Sequence, residues 1–164
     1  MPVVSYGELK TICLSAIVPI PVYPAVYGNF MSDLYYTGCR PNEFTNPDLW
    51  TPIGGGNFEL QPLKGNNLRV INESQLSSAF IEWISGGSDL YKVVSYSKQL
   101  NLWNNQAKRN DLRVDRKPID LYAFRYRYVK GLKLDGLSDA AIQAEMGWTN
   151  IGMVDQYVDA VIRF

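Results

Sequence analysis

Apolar positions along this chain recur mostly at helical spacing and alternate in twos over one short stretch. Ser5 followed by Glu8 forms a capping box, opening a helix expected to run to about Ile17. The proline-rich stretch up to Pro24 reads as a connecting loop. Val26, Phe30 and Leu34 then share one helical face, with Gly38 as the stop. Gly54-Gly55-Gly56 is a turn. Phe58–Leu63 and Leu68–Ile71 read as strands joined by Lys64-Gly65-Asn66-Asn67, a hairpin signal. Beyond them the pattern is helical again. Leu76, Phe80 and Ile84 lie on one face of a helix that Gly86-Gly87 ends. Further helices are expected over about Ser95–Asn110, over about Asp120–Asp135 with Gly136 as the stop, from the cap Ser138 to Gly147, and over roughly Gly152–Ile162. This order predicts an α+β fold, mostly helical, with a small antiparallel sheet or hairpin near the front.

The chain's 164 residues suit one domain around one core, residues 1–164, and no repeat or linker divides them. No apolar run reaches the roughly 18–20 residues of a membrane span. The longest candidate, Ile17–Val26, is broken by Pro19, Pro21 and Pro24. The first residues lack a basic start and a small-residue cleavage site, so an intracellular protein is expected. Cys13 and Cys39 are too few for a disulfide scaffold and are expected to pack as small apolar residues.

Histidine is absent from the chain, which removes Ser-His and Cys-His catalysis and every histidine-ligated metal site. Chemistry here must use Tyr, Arg, Lys, Asp, Glu, Ser or Trp, and no metal or other cofactor is expected. The formal net charge is zero, against the basic surface that phosphate contacts demand. The distribution is uneven, however. Lys98 to Lys133 holds ten Lys+Arg and three Asp+Glu, so a neutral chain can still present a basic face.

The run Phe124–Tyr157 places Arg125, Gly136, Ile142, Gln143, Gly147, Trp148 and Tyr157 in an ordered series. Gly136 follows Arg125 by 11 positions, Trp148 follows it by 23, and Tyr157 follows Trp148 by 9. This series resembles the C-terminal motif of the tyrosine recombinases (the phage integrase family). The segment Leu34–Phe44, with Thr37, Gly38, Arg40 and Glu43, resembles the family's segment around its first arginine. Leu63–Ile71 resembles the β-hairpin that carries the family's lysine, here Lys64. Each motif alone is weak, and their order and spacing carry the resemblance.

The resemblance implies a catalytic domain that breaks and rejoins DNA strands, with Arg40, Lys64, Tyr122, Arg125, Trp148 and Tyr157 as its site. Guanidinium forks hold two phosphate oxygens at once and stay charged, which suits Arg40 and Arg125 to a pentacoordinate phosphorus. Lys64 on a hairpin tip is the implied general acid, and the Trp148 indole N–H a further phosphate donor. Tyr157 is the implied nucleophile, giving a 3′-phosphotyrosine. Where the family usually has His-x-x-Arg, this chain has Tyr122-Ala123-Phe124-Arg125, and a phenol is a poor base at neutral pH. The implied partners are double-stranded DNA, further copies of the chain in a synaptic tetramer, and a separate DNA-binding domain or accessory protein. A prokaryotic cytoplasm, with viral or mobile-element origin, is the implied setting.

Taken singly, each residue also has an ordinary structural reading. Arg40 is then a surface arginine, Lys64 a solvated turn residue, Trp148 an inter-helix anchor and Tyr157 a core aromatic beside Val154, Val158 and Val161. Three other readings stay open. A type IB topoisomerase shares the chemistry. A non-catalytic DNA-binding module could use Ser138–Asp159 as a helix-turn-helix. A decayed recombinase would account for Tyr122.

Overall fold

Apolar-faced segments become helices in the computed structural model, which describes residues 24–62, 66–94, 101, 105, 113–114, 117–118, 121–159 and 162–163. The first is α1 (Pro24–Thr37), which starts on a proline and stops where Gly38 turns to φ +65°. A 3-10 turn, Pro41–Phe44, follows, then a second at Pro47–Leu49. Next come β1 (Trp50–Gly54), β2 (Asn57–Leu60) and β3 (Arg69–Asn72), an antiparallel sheet in the order β1-β2-β3. The expected triple-glycine turn joins β1 to β2. β1 itself was not expected from the sequence: it is an edge strand whose Pro52 needs no inward partner, and most of its residues are exposed.

Ser77 caps α2 (Ser78–Ile84) by accepting from the Phe80 N–H at 3.2 Å. Leu76, expected within that helix, lies just before it. A second, minor sheet pairs β4 (Arg113–Val114) with β5 (Lys117–Pro118) and with β6 (Ile162–Arg163). The last three helices are α3 (Ala123–Leu134), α4 (Asp139–Met146) and α5 (Gly152–Val158). The expectation of a final helix reaching Ile162 is corrected here: α5 stops at Val158, and Ile162–Arg163 extends to pair with β4. The expected helix over Ser5–Ile17 and most of the one over Ser95–Asn110 fall outside the described residues.

Two apolar clusters meet along α3. The larger gathers Phe30, Leu34, Phe44, Trp50, Leu60, Ile71, Phe80, Tyr91 and Phe124, with Phe44 stacked on Trp50 at 5.4 Å and edge-on to Phe80 at 4.9 Å. The smaller gathers Val129, Ile142, Met146, Trp148 and Val154. Phe124 faces one and Val129 the other, so α3 is the wall between them. Cys39 is buried in the larger cluster, as a small apolar residue would be. Among the described residues no helix is long and apolar enough to cross a membrane.

Candidate functional site

The site begins where α1 ends. Gly38 closes the helix, its N–H donating to the Leu34 carbonyl at 3.0 Å, and its left-handed φ releases the chain toward Arg40. A side chain at Gly38 would enter the ring of Tyr128, so glycine is required by space as well as by backbone conformation. The Thr37 hydroxyl donates to the Asp33 carbonyl at 2.6 Å and accepts from the Cys39 N–H at 3.2 Å. The Arg40 N–H donates to Glu43 Oε1 at 2.6 Å, and the Glu43 carbonyl accepts from Trp50 Nε1 at 2.7 Å. The turn under Arg40 is therefore bolted to the core, while the Arg40 side chain stays half-buried.

Arg125 comes in from the first turn of α3. It is 1% exposed, and its Nη1 donates to the Gly38 carbonyl at 2.8 Å. Its Nε and Nη2, also buried, have no hydrogen-bond partner among the described residues. Burial lowers the guanidinium pKa; Tyr157 opposes this, and the charges of Arg40 and Arg69 add to it.

Trp148 is set by the end of α4. Gly147, at φ +69°, terminates the helix; a Cβ there would stand 2.5 Å from the Asn67 carbonyl oxygen and 3.0 Å from Arg69 Cγ. Gln143 holds the next residue from both sides: its carbonyl accepts from the Trp148 N–H at 3.0 Å, and its Nε2 donates to the Trp148 carbonyl at 3.2 Å. The indole is 2% exposed, and its Nε1 has no partner among the described residues. Arg125 Cζ lies 5.6 Å from the Trp148 ring and 5.7 Å from the Tyr157 ring.

Tyr157 rides on α5, which packs on α3 through the fully buried Val154. Lys130 of α3 donates to the Val158 carbonyl at 2.6 Å and so fixes the end of the helix. The Tyr157 ring is stacked on Trp148 at 5.0 Å and tilted against Tyr126 at 4.6 Å. A short terminal helix, held by little packing, would be expected to let Tyr157 stand away from the arginines when DNA is absent. In the structure its ring lies beside Arg125, and no Arg125 donor bonds its hydroxyl.

Of the six residues singled out in the sequence, the structure thus brings Arg125, Trp148 and Tyr157 together, and Arg40 follows two residues after Gly38, whose carbonyl Arg125 bonds. Tyr122 is half-buried in the turn that opens α3, three residues before Arg125. Lys64 lies outside the described residues. The returning limb of its hairpin is described, and there the Asn67 N–H donates to the Gly147 carbonyl at 2.8 Å, joining the hairpin to the Trp148 turn. The residue that sequence reasoning missed is Arg69. It is 2% exposed, in β3, with three hydrogen bonds. The available signal was its register: Arg69 pairs with the buried Leu60 and shares the inward face of β3 with Ile71.

No protein-family model matches the sequence, and no curated protein matches it. Solved structures do match in fold. The XerH site-specific recombinase, bound to its palindromic difH substrate in a post-cleavage complex, aligns with a TM-score of 0.64 and 15% identity over 96% of this chain and 50% of its own. The XerA recombinase aligns at 0.61 and 16% identity, over 96% of this chain and 60% of its own. The Tn1549 transposon integrase, in complex with transposon right end DNA, aligns at 0.61 and 16% identity, over 95% and 61%. The chain therefore spans about half to three-fifths of the length of these proteins. Over that span, it has the fold of the tyrosine recombinase catalytic domain.

Proposed function

We propose that this chain is a DNA strand transferase of the tyrosine recombinase type, acting on double-stranded DNA through Tyr157. The observation that carries the reading is the set of orphaned donors beside that ring. Arg125 Nε and Nη2 and Trp148 Nε1 are buried in one neighbourhood and unpartnered among the described residues. Leaving a buried donor unmade costs about 1–3 kcal/mol, more for a charged group. Three together suit a site kept for an anion with several acceptor oxygens, and a phosphodiester has that character.

The step proceeds as an exchange of esters. The Tyr157 oxygen attacks phosphorus, the bond from phosphorus to the 5′-oxygen breaks, and a 3′-phosphotyrosine forms. The phenol loses one proton and the departing 5′-oxygen gains one, so acid and base balance over the step. Arg40 and Arg125 hold the non-bridging oxygens as negative charge grows on them. Trp148 Nε1 supplies a neutral donor, and Lys64 the proton for the leaving oxygen. Reversal by a 5′-hydroxyl of another strand gives recombination, and by the same strand gives relaxation. Exchange between duplexes calls for further copies of the chain on DNA.

The test is incubation with a library of nicked duplexes in which the short cleaved fragment diffuses away and traps the covalent complex. A denaturing gel then shows a protein–DNA adduct, and the adduct disappears in Tyr157→Phe. DNA that binds without forming any adduct is the result expected of a helix-turn-helix module or of a decayed recombinase, and it would overturn the proposal.

A further inference from the structure

Arg69 has no part in the proposed chemistry, yet it is among the most deeply buried polar side chains of the protein. Its Nη2 donates to the Thr37 carbonyl at 2.7 Å, its Nε to the Glu145 carbonyl at 2.8 Å, and its Nη1 contacts Cys39 Sγ at 3.3 Å. All three acceptors are neutral. Two are carbonyls from the last turns of α1 and α4, groups that a helix leaves without internal partners. One cation thus caps two helix C-termini, where the aligned peptide dipoles favour positive charge.

The segments it joins are those that carry the site. Thr37 and Cys39 lead into Arg40, and the Gly38 carbonyl between them accepts from Arg125. Glu145 leads through Gly147 into Trp148, and the Arg69 stem itself lies against the Gly147 backbone. A guanidinium is a flat, rigid spacer with fixed donor directions, which an ammonium is not. Apolar side chains could fill the same volume without burying a charge.

We propose that Arg69 is a positioning residue: its guanidinium fork sets the separation between the Arg40–Arg125 pair and Trp148. The link to cleavage rests on the function proposed above, but the placement itself does not. Arg69→Lys keeps the charge and loses the fork; Arg69→Met keeps the length and loses both. Cys39→Ala removes one acceptor of three and serves as the mild variant if the others fold poorly.

The first measurement is independent of activity. In NMR spectra of the nitrogen-15-labelled full chain, the Trp148 indole N–H and the Arg125 Nε–H should shift or broaden in Arg69→Lys, and less so in Cys39→Ala. The Trp83 indole, in the other cluster, should stay in place. Folded variants whose Trp148 and Arg125 signals coincide with the wild-type ones would overturn the proposal.

The second measurement uses a nicked duplex that the wild type cleaves. At saturating DNA the adduct should form roughly tenfold or more slowly in Arg69→Lys, since small misplacements of a clamp cost that much, while DNA affinity stays close to wild type. A wild-type rate at saturation in Arg69→Lys would overturn it too. If the wild type forms no adduct on any substrate, the functional reading fails, and the NMR comparison still decides the role of Arg69.

Discussion

Replacing Arg125 with methionine separates a site arginine from a structural one by the size of its effect on stability. The side chain is 1% exposed, so the substitution acts in the interior. It removes two buried donors that have no partner, each costing about 1–3 kcal/mol as they stand. It also removes the bond to the Gly38 carbonyl, a charged hydrogen bond of about 1.5–3 kcal/mol. The contacts with the Trp148 and Tyr157 rings, at 5.6 and 5.7 Å, lie near the outer limit of useful cation–π range and add about 0.5–1 kcal/mol each. Relief and loss nearly cancel. With the Gly38 carbonyl also left without its donor, Arg125→Met should leave the DNA-free protein within about 2 kcal/mol of the wild type. Urea denaturation followed by circular dichroism measures the difference. Inorganic phosphate should raise the melting temperature of the wild type and not of the variant, because only the native wild-type site binds it. A loss of about 3–5 kcal/mol, the usual result of breaking a completed buried charge network, would refute the reasoning.

Asp33 should make stability depend on pH. Burial pushes its carboxyl pKa up to about 6, against hydrogen bonds from the Ser77 N–H, the Ser77 hydroxyl and the Tyr91 hydroxyl. A raised carboxyl contributes stability that is complete below about pH 4 and lost as pH rises through about 6, roughly 3 kcal/mol relative to Asp33→Asn; parallel denaturation curves for the two proteins at pH 4.5 and 7.5 would contradict this. Gly147→Ala should cost more than about 1 kcal/mol, because φ is positive and the new Cβ meets the Asn67 carbonyl oxygen, and thermal melting reads the loss. Tyr122→His should keep or raise the rate of adduct formation, because an imidazole near neutral pKa exchanges protons more readily than a phenol. A gel time course checks it, and a fall of several-fold would contradict that role for Tyr122.

The helices were legible because their ends are written in single residues. Gly38, Gly136 and Gly147 all stand at positive φ at the ends of helices, and Ser138 accepts the capping bond at the start of one. β1 was hidden because Trp50 is its only buried position, so it shows no alternation. β4, β5 and β6 are two-residue strands held by tertiary pairing, too short for any period to register. The proximity of Arg125, Trp148 and Tyr157 was legible only through joint spacing, since α3, α4 and α5 turn back on one another at glycines the sequence displays. Arg69 was hidden by chemistry rather than geometry. A charged residue in a short strand reads as solvent-facing, and only the partners supplied by α1 and α4, distant in sequence, make its burial tolerable.

The central claim is that Tyr157 forms the covalent bond to DNA. The direct measurement is mass spectrometry of the protein after reaction with a nicked duplex library and digestion by protease and nuclease. The expected result is a nucleotide attached to the peptide containing Tyr157, lost in Tyr157→Phe. That variant should bind DNA and melt like the wild type, because its ring still stacks on Trp148 and Tyr126. An adduct mapped to another residue, or one formed equally by Tyr157→Phe, would contradict it.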